Sequence, residues 1–232
     1  MKVLVIVPAY NEEQGIKHVV ESFKNINNVD ILVINDCSKD KTSIVCRDFG
    51  LKVIDLPTNL GIGGAVQTGY KYALLNGYDI AIQVDGDGQH NPSYIKELIK
   101  PIIAGEADLV IGSRYLEHKG FQSSFFRRLG INYFSLLIKL LQKKKITDPT
   151  SGFRAANKKV IELFSNRYPI DYPEPESIVY LLRNNYQIEE IPVVMNERVG
   201  GESSINAFKS VYYMIKVSTA IIIDNLRKIG LT

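Results

Sequence analysis

The sequence predicts an α/β fold with a mostly parallel central sheet and helices on both of its faces. Short runs rich in Val, Ile and Leu alternate with helix-length segments through the first 116 residues. Strands separated by helices pair in parallel, because each connection has to cross over the sheet. The runs are apolar almost throughout, which is typical of strands that are covered on both faces. A chain of 232 residues favours one such unit over several.

The first half of the chain predicts five strands and four helices. The predicted strands are 2–9, 29–36, 51–57, 78–85 and 107–115. The predicted helices are 12–26, 40–50, 63–77 and 92–106. Gly50 and Gly77 end two of the helices, since glycine readily adopts the left-handed conformation found after a helix C-terminus. Pro92 suits the first turn of the fourth helix.

The second half is less regular. In order, it contains a basic helical segment 123–145, an expected loop 147–159, an acidic segment 172–185, a predicted strand 186–198, a glycine-rich link 199–204 and one long predicted helix 205–230. We therefore expect a domain over 1–205, divided into a first half, 1–116, and a second half, 117–205. Residues 206–232 are expected to form a C-terminal amphipathic helix that contacts a membrane or a partner.

Composition and charge exclude several classes of protein. The formal net charge of +3 is too small to favour nucleic acid as a partner. The two cysteines, Cys37 and Cys46, cannot form a disulfide scaffold, so a reducing compartment is expected. The N-terminal apolar run is as short as a strand, and no run approaches the roughly 18 apolar residues of a spanning helix. These features predict a cytoplasmic protein, soluble or peripheral to the membrane.

Two like charges follow the fourth predicted strand in the stretch "DGDGQ". Asp85 and Asp87 are separated only by Gly86, and such carboxylates repel each other unless a cation lies between them. Mg²⁺ and Mn²⁺ favour one or two carboxylates together with phosphate oxygens and water, and Gln89 adds an amide oxygen. The alternative is a solvated Asp-Gly turn. The stretch predicts a site for Mg²⁺ or Mn²⁺ formed by Asp85, Asp87 and Gln89.

Similar polar stretches end the neighbouring predicted strands. "PAYNEE" follows the first strand and "NDCSKD" follows the second. Ligands of open α/β sheets bind at the carboxyl ends of the strands, where these stretches meet. The glycines of "GIGG", Gly61, Gly63 and Gly64, do not match a dinucleotide-binding fingerprint, because a third glycine is missing and the motif does not follow the first strand. They are expected to serve a tight turn and the close approach of a helix to the sheet.

Six stretches in order carry a family resemblance: "VIVPAYNEE", "VINDCSKDKT", "NLGIGGAVQTGYKYA", "QVDGDGQHNP", "DLVIGSRY" and "DPTSGFRA". Over residues 1–200 the chain resembles family-2 glycosyltransferases of the GT-A (Rossmann-like) fold, and in particular the polyprenyl-phosphate branch typified by dolichyl-phosphate mannosyltransferase. The resemblance implies a metal-dependent hexosyltransferase with Asp87 and Arg114 as catalytic residues. It also implies that 1–116 is the nucleotide-sugar-binding half and 117–205 the acceptor-binding half of the domain. The implied nucleotide contacts are Pro8, Tyr10, Glu12, Asp36, Asp85 and Gly86. For Tyr10, a role in packing is the alternative.

Arginine matches phosphate oxygens in a bidentate fork that lysine cannot form. The resemblance implies phosphate or acceptor contacts for Arg114, for one of the pair Arg127 and Arg128 (which of the two stays open), and for Arg198. For Arg127 and Arg128, a role as plain surface charge is the alternative. The lysine run 143–145 also suits attraction to anionic lipid head groups.

A lipid phosphate is already anionic, so its attack on a sugar nucleotide needs no general base. We therefore expect inverting transfer of a sugar to undecaprenyl or dolichyl phosphate for cell-envelope glycan synthesis. Departures from the mannosyltransferase pattern, among them Asn35, Cys37 and Ser204, favour UDP-glucose or UDP-N-acetylglucosamine over GDP-mannose. The alternative is transfer to a hydroxyl of a growing glycan or glycolipid, with Asp148 or Glu174 as the base. Expected partners are the membrane surface and, as one option, a separate small membrane protein.

Overall fold

A seven-stranded sheet forms the centre of the computed structural model, which describes residues 1–24, 26–117, 125–196 and 207–226. Its strands are β1 (Val3–Ala9), β2 (Asp30–Asn35), β3 (Lys52–Asp55), β4 (Ile80–Gln83), β5 (Leu109–Ser113), β6 (Arg154–Asn157) and β7 (Ile188–Pro192). The helices are α1 (Glu13–Phe23), α2 (Thr42–Asp48), α3 (Gly61–Leu75), α4 (Ile95–Ile103), α5 (Phe125–Gln142), α6 (Lys158–Asn166), α7 (Pro173–Arg183) and α8 (Ala207–Leu226).

The strand order is β3-β2-β1-β4-β6-β5-β7, and the pairs are parallel except at β6. This confirms the predicted mostly parallel α/β sheet. Strand β6 lies antiparallel between β4 and β5, within the segment that was expected to be a loop. That expectation was wrong because "RAAN" is short and lacks the β-branched residues that mark a strand. Its strand conformation comes from its two neighbours in the sheet.

Both faces of the sheet are covered. On β1, Leu4 and Ile6 pack into a core shared with α3 and α6, whereas Val5 and Val7 pack into a second core shared with α1 and α4. All four side chains are completely buried. Successive side chains of a strand point to opposite faces, so a run that is apolar on both sides requires two helical layers.

Three glycines bring α3 close to its neighbours. Gly61 adopts a φ of +75°, which suits the predicted tight turn. A Cβ atom at Gly63 would lie 2.1 Å from the Pro169 carbonyl oxygen, so this glycine serves contact with the 169–170 backbone and not with the sheet. Contact with the sheet is made at Gly69, where a Cβ would lie 2.3 Å from Cγ2 of Ile6. The helix therefore approaches the sheet one and a half turns later than expected.

Helices α5 and α8 pack side by side. The rings of Phe134 and Tyr213 are 5.2 Å apart, and Gln142 donates a hydrogen bond of 2.6 Å to Asn225. No helix within the four described ranges has both the length and the hydropathy needed to cross a bilayer. Strands β6 and β7, from the expected acceptor half, belong to the same sheet as the strands of the first half. The division at residue 116 stays a prediction.

Candidate active site

Asp85, Gly86 and Asp87 form the loop that follows β4, at the carboxyl edge of the sheet. The side chain of Asp85 is 36% exposed, whereas Asp87 is 4% exposed as a residue. One carboxylate oxygen of Asp87 accepts a hydrogen bond of 3.0 Å from the Gln89 backbone N–H, and Gly88 adopts a φ of +78°. The loop is thus a tight turn stabilised by the second of the two acids.

His90 holds the same loop from behind. Its Nδ1 atom accepts a hydrogen bond of 3.0 Å from the Asp85 backbone N–H, and its Nε2 atom lies 3.6 Å from an Asp85 carboxylate oxygen. The imidazole stacks on Phe153, with ring centroids 4.9 Å apart. The backbone bond requires an unprotonated Nδ1, which leaves the proton of the neutral ring on Nε2, the atom facing the acid. His90 therefore positions the loop.

Two glycines allow the loop to fit between its neighbours. A Cβ at Gly15, in the first turn of α1, would lie 2.2 Å from the Gly86 carbonyl oxygen. A Cβ at Gly152 would lie 2.8 Å from each carboxylate oxygen of Asp85. A side chain at either position would displace the acids. Sequence reasoning did not identify these glycines, because their role depends on contacts between distant segments.

The predicted nucleotide contacts Pro8, Tyr10 and Glu12 lie where β1 ends. Pro8 is buried, and its carbonyl oxygen would lie 3.1 Å from a Cβ at Gly86. Tyr10 is 44% exposed, so its ring is available for contact with a ligand. Glu12 is half-buried and its backbone N–H donates to Thr42 Oγ1 at 2.9 Å. The structure therefore brings the end of β1 next to the aspartate loop.

Asp36 lies at the end of β2, which is level with the end of β1 in the sheet register. Its two carboxylate oxygens accept hydrogen bonds from the backbone N–H groups of Leu60 and Gly61, at 2.7 and 2.9 Å. The acid therefore holds the turn that precedes α3. Contact between Asp36 and a nucleotide base stays a prediction, made in addition to this structural role.

Asn35, one of the expected departures from the mannosyltransferase pattern, is the last residue of β2. Its side-chain N–H donates a hydrogen bond of 2.7 Å to Asp55 on β3, and its side-chain oxygen accepts one of 3.2 Å from the Ser38 backbone. A carboxylate could not donate to Asp55, so the asparagine fits its neighbour here. Cys37 has a φ of +60°, a conformation that non-glycine residues adopt infrequently.

Arg114 follows β5 and is held by the segment between α5 and β6. Its guanidinium donates to both carboxylate oxygens of Asp148, and also to Thr150 Oγ1 at 3.1 Å. Burial alone would lower the pKa of Arg114, but the hydrogen bonds and charge of Asp148 outweigh it and raise the pKa, with a smaller contribution from Asp85. The charge of Arg114 thus acts on the aspartate loop.

The partner acid of Arg114 is itself anchored from β7. The carboxylate of Glu190 accepts hydrogen bonds from the backbone N–H groups of Thr147 and Asp148, at 2.7 and 2.9 Å. Ser113 and Thr147 share a hydroxyl contact of 2.6 Å. Burial raises the pKa of Glu190, and these bonds partly oppose the shift. The segment that carries Asp148 is therefore fixed from two strands.

Arg154 places a second positive charge below the loop. It is completely buried, and it donates to the Ser151 carbonyl at 2.7 Å and to Ser177 Oγ at 2.9 Å. Burial raises the pKa of the nearby Glu174; the charge of Arg154 opposes this shift and the charge of Asp85 adds to it. The motif "DPTSGFRA" contains Arg154, but the sequence alone did not indicate a role for this residue. The sequence feature that could have indicated its role is the presence of a charged residue inside an otherwise apolar run.

Of the other predicted phosphate contacts, two lie on α5 and one lies outside the described residues. Arg127 and Arg128 are exposed in the first turn of α5. Gln89, the predicted third metal ligand, pairs with Asn196: the Asn196 backbone N–H donates to the Gln89 carbonyl at 2.9 Å. Arg198 lies outside the described residues, two positions after Asn196.

With this geometry in place, comparison with known proteins identifies the family. The sequence profile named Glycosyl transferase family 2 matches residues 4–164, which is more than half of the chain. The chain belongs to glycosyl transferase family 2. The resemblance stated from the sequence motifs is thereby confirmed. The family-2 match ends within α6, so α7, β7 and α8 lie beyond it.

The curated relatives of this family-2 glycosyltransferase include several polyprenyl-phosphate sugar transferases. UDP-N-acetylglucosamine–dolichyl-phosphate N-acetylglucosaminyltransferase of Methanococcus voltae is 31% identical and aligns over 96% of this chain and 98% of its own length. Polyprenol monophosphomannose synthase of Mycolicibacterium smegmatis is 29% identical, over 94% of this chain and 86% of its own. Dolichol-phosphate mannosyltransferase of Pyrococcus furiosus is 32% identical, over 88% of this chain and 59% of its own length. The polyprenyl-phosphate branch is thus confirmed as the group that the chain resembles.

Solved structures confirm the GT-A fold. Glucosyl-3-phosphoglycerate synthase from Mycobacterium tuberculosis, crystallised with Mn²⁺, UDP and phosphoglyceric acid, superposes with a TM-score of 0.75 over 99% of this chain and 80% of that chain. The identity is 19%, so the likeness concerns the fold alone.

The aspartate loop of this family-2 enzyme suits a divalent cation. Asp85 and Asp87 supply two carboxylates, Gln89 supplies an amide, and Gly152 leaves room beside Asp85. Among the described residues, no group of three or more His, Cys, Asp or Glu side chains is arranged to hold a metal. The predicted set is of another kind, with two acids and further oxygens from a diphosphate and water, as Mg²⁺ commonly takes.

Proposed function

We propose that the chain transfers a sugar from a nucleotide diphosphate donor to a polyprenyl phosphate, with inversion at the anomeric carbon. The observation that carries the proposal is the pair Asp85 and Asp87 at the carboxyl end of β4, in a chain that aligns along nearly its whole length with a dolichyl-phosphate transferase. Ligands of such sheets bind at this edge.

The proposed donor site is formed by the ends of β1, β2 and β4. Pro8, Tyr10 and Glu12 line the base and ribose, Asp36 reaches the base, and Asp85, Gly86 and Asp87 lie beside the diphosphate. Asp85, Asp87 and Gln89 would hold the divalent ion. A bound Mg²⁺ or Mn²⁺ neutralises negative charge that develops on the departing diphosphate.

The acceptor chemistry is supported by the buried positive charge of Arg114 beside this site. A phosphate oxygen of the lipid is already deprotonated, so the protein has to orient it and need not remove a proton. Arg127, Arg128 and Arg198 are proposed as phosphate contacts. Arg114 is proposed to act mainly through its fixed charge, since two of its nitrogens are bound to Asp148.

For the donor, we propose UDP-glucose or UDP-N-acetylglucosamine in preference to GDP-mannose. Asn35 and Cys37 flank Asp36, the proposed base contact, and as departures from the mannosyltransferase pattern they support a change of base. The curated relatives carry both N-acetylglucosamine and mannose names, so they support transfer of a sugar to a lipid phosphate without fixing the sugar.

A glycan hydroxyl is the alternative acceptor, and it would require a carboxylate base. Asp148 is completely buried and bound to Arg114, so a hydroxyl cannot reach it. Glu174 is half-buried, and burial together with the charge of Asp85 raises its pKa, an arrangement that suits a base. Of the two predicted bases, the alternative therefore requires Glu174.

The test is a transfer assay with the purified chain and Mn²⁺ or Mg²⁺. UDP-glucose, UDP-N-acetylglucosamine and GDP-mannose are each supplied with undecaprenyl phosphate or with an oligosaccharide acceptor. We expect metal-dependent formation of a polyprenyl-phosphate sugar, lost in Asp87→Asn and retained in Asp48→Asn, which removes an exposed acid on α2. Glu174→Gln should leave lipid transfer largely intact. Activity retained by Asp87→Asn would contradict the metal site, and transfer only to the oligosaccharide would favour the alternative.

The proposed acceptor is a membrane lipid, so we also propose that the enzyme works as a peripheral protein at the cytoplasmic face of the membrane. It would reach the lipid either by its own surface or through a separate small membrane protein.

A further inference from the structure

Two exposed apolar stripes lie on neighbouring helices. On α5, Leu136 is 56% exposed and Leu140 is 70% exposed, and Leu129 and Tyr133 continue the stripe one turn apart. On α8, the exposed residues of the stripe are Tyr212, Ile215, Ile222 and Ile223. Isolated exposed apolar residues are ordinary, but contiguous patches mark interaction surfaces.

The stripes form one surface. Phe134 meets Tyr213 near the middle of α5, and Gln142 meets Asn225 near the end of both helices, so α5 and α8 run in the same direction. The hydroxyls of Tyr133 and Ser218 are 2.9 Å apart and join the two edges. Tyr133 is itself part of the α5 stripe, and on a helical wheel Ser218 lies within about 60° of Ile215 and Ile222, so the two stripes adjoin at this hydroxyl contact. We call this surface the α5–α8 face.

The charge around the α5–α8 face is of one sign along α5. Residues 125–145 contain six basic side chains and no acidic one: Arg127, Arg128, Lys139, Lys143, Lys144 and Lys145. All six of these side chains are exposed. Two of them precede the stripe and the others lie near its far end. An apolar stripe flanked by Lys and Arg suits a surface with anionic head groups over an apolar interior.

The face also begins close to the candidate active site. The rings of Tyr213 and Tyr172 are 4.4 Å apart, and Tyr172 lies just before α7, two residues from Glu174. The charge of Glu174 acts on Tyr213, and the charge of Asp85 acts on Glu174. Tyr213 is thus linked through Tyr172 to the first turn of α7, which carries Glu174.

We propose that the α5–α8 face docks on an anionic lipid bilayer. The leucines and isoleucines enter the boundary between head groups and acyl chains, Tyr133 and Tyr212 lie at head-group level, and the basic residues of α5 contact anionic lipids. The proposal rests on the proposed function for the identity of the lipid substrate. Docking itself is measured without a sugar nucleotide, so the two can fail separately.

A fluorescence experiment tests the contact directly, because the chain contains no tryptophan. Leu136→Trp places a single probe on the face, and Leu75→Trp places a matched probe on the last residue of α3, where Leu75 is 84% exposed. With vesicles of phosphatidylcholine and about a third phosphatidylglycerol, we expect a blue shift for the first probe and none for the second. Equal responses from both probes would overturn the proposal.

Sedimentation with the same vesicles measures the energetics. Leu136→Gln/Leu140→Gln should weaken binding by about tenfold or more, since each leucine loses its transfer into the apolar layer. Lys143→Gln/Lys144→Gln/Lys145→Gln should weaken it about a hundredfold at low salt, and less at high salt. The matched control, Leu75→Gln/Ile103→Gln, should bind like the wild type. Far-UV circular dichroism verifies that each variant is folded.

The other outcomes are decisive as well. If the chain does not bind bare vesicles, or if the α5 variants change its oligomeric state and leave vesicle binding unaltered, a partner protein or a second copy covers the face and the proposal is wrong. Vesicle binding without sugar transfer would uphold the α5–α8 face and contradict the proposed function. Transfer to a detergent-dispersed acceptor without vesicle binding would uphold the proposed function and contradict docking of the α5–α8 face.

Discussion

Arg114 and Asp148 form a buried bidentate ion pair beside the aspartate loop. The Arg114 Nε and Nη2 atoms lie 2.6 and 2.7 Å from the two Asp148 carboxylate oxygens, and the Arg114 backbone N–H donates to the same acid at 3.2 Å. Arg114 is 6% exposed and Asp148 is completely buried. Neither charge is solvated by bulk water, so each depends on the other.

Removing the acid should therefore destabilise the fold. Asp148→Asn leaves the guanidinium buried without its counter-charge, which typically costs about 3–5 kcal/mol. We expect a loss of about 3 kcal/mol in the free energy of unfolding, measured by urea denaturation. The surface pair of Arg47 and Asp55 is the control, and Asp55→Asn should cost about 1 kcal/mol or less. Equal losses in the two variants would show that burial does not govern the Arg114 pair.

Gly152 offers a test of the metal site that does not remove a ligand. In Gly152→Ala the new Cβ would lie 2.8 Å from both Asp85 carboxylate oxygens and would push them away. We expect about tenfold weaker binding of Mn²⁺ in the presence of UDP, measured by calorimetry. Gly130→Ala is the matched control, because its Cβ meets nothing within 4 Å, and alanine favours a helix. Unchanged Mn²⁺ affinity in Gly152→Ala would contradict a metal site at Asp85.

Much of the fold could be predicted from the sequence because its buried strands are apolar on both faces. β1, β2, β4 and β5 are such runs, and each was predicted within a few residues of its observed bounds. β6 was not predicted, because its strand conformation depends on pairing with β4 and β5 and not on its own residues. Helix α6 follows β6 and was also not predicted.

The predicted site residues at strand ends could be found because chemistry and position coincide there, as they do for Asp85 and Asp87. The supporting residues could not be found in that way. Gly152 acts only by leaving space, and Asp148 acts by pairing with a residue 34 positions earlier. Such roles arise from contacts between distant segments, which a single sequence does not reveal. The roles of individual site residues stay predictions.

Tyr70 carries a buried hydroxyl that has no hydrogen-bond partner among the described residues. Its ring packs edge-on against Phe164, with centroids 5.2 Å apart, and burial raises the pKa of the hydroxyl. Tyr70→Phe keeps the ring and removes the unsatisfied group, so we expect unchanged or greater stability, by up to about 1 kcal/mol. Thermal unfolding at neutral pH measures the change. A clear loss of stability would show that the hydroxyl is hydrogen-bonded, for example to a buried water.

Glu176 predicts a dependence of stability on pH. Burial between α7 and α8, together with the charges of Asp171 and Asp224, raises its pKa to about 7, while Lys216 and Arg167 oppose the shift. Between the ordinary pKa near 4.5 and the folded value, the folded state keeps the proton that the unfolded chain loses, so the stabilisation falls as pH rises through this window.

Above pH 7 Glu176 is ionised in both the folded and the unfolded state, so the folded state bears the full cost of burying its charge. Glu176→Gln should therefore be more stable than the wild type at pH 8. We expect a difference of about 1 kcal/mol, smaller than the full pKa shift implies because the side chain is half-buried and solvent screens its charge. The difference should close towards pH 5. Parallel urea denaturation of both proteins from pH 5 to 8 measures it, with Glu162→Gln on the exposed face of α6 as the control. A difference that is constant across this range would assign the stabilisation to packing and not to the titration of Glu176.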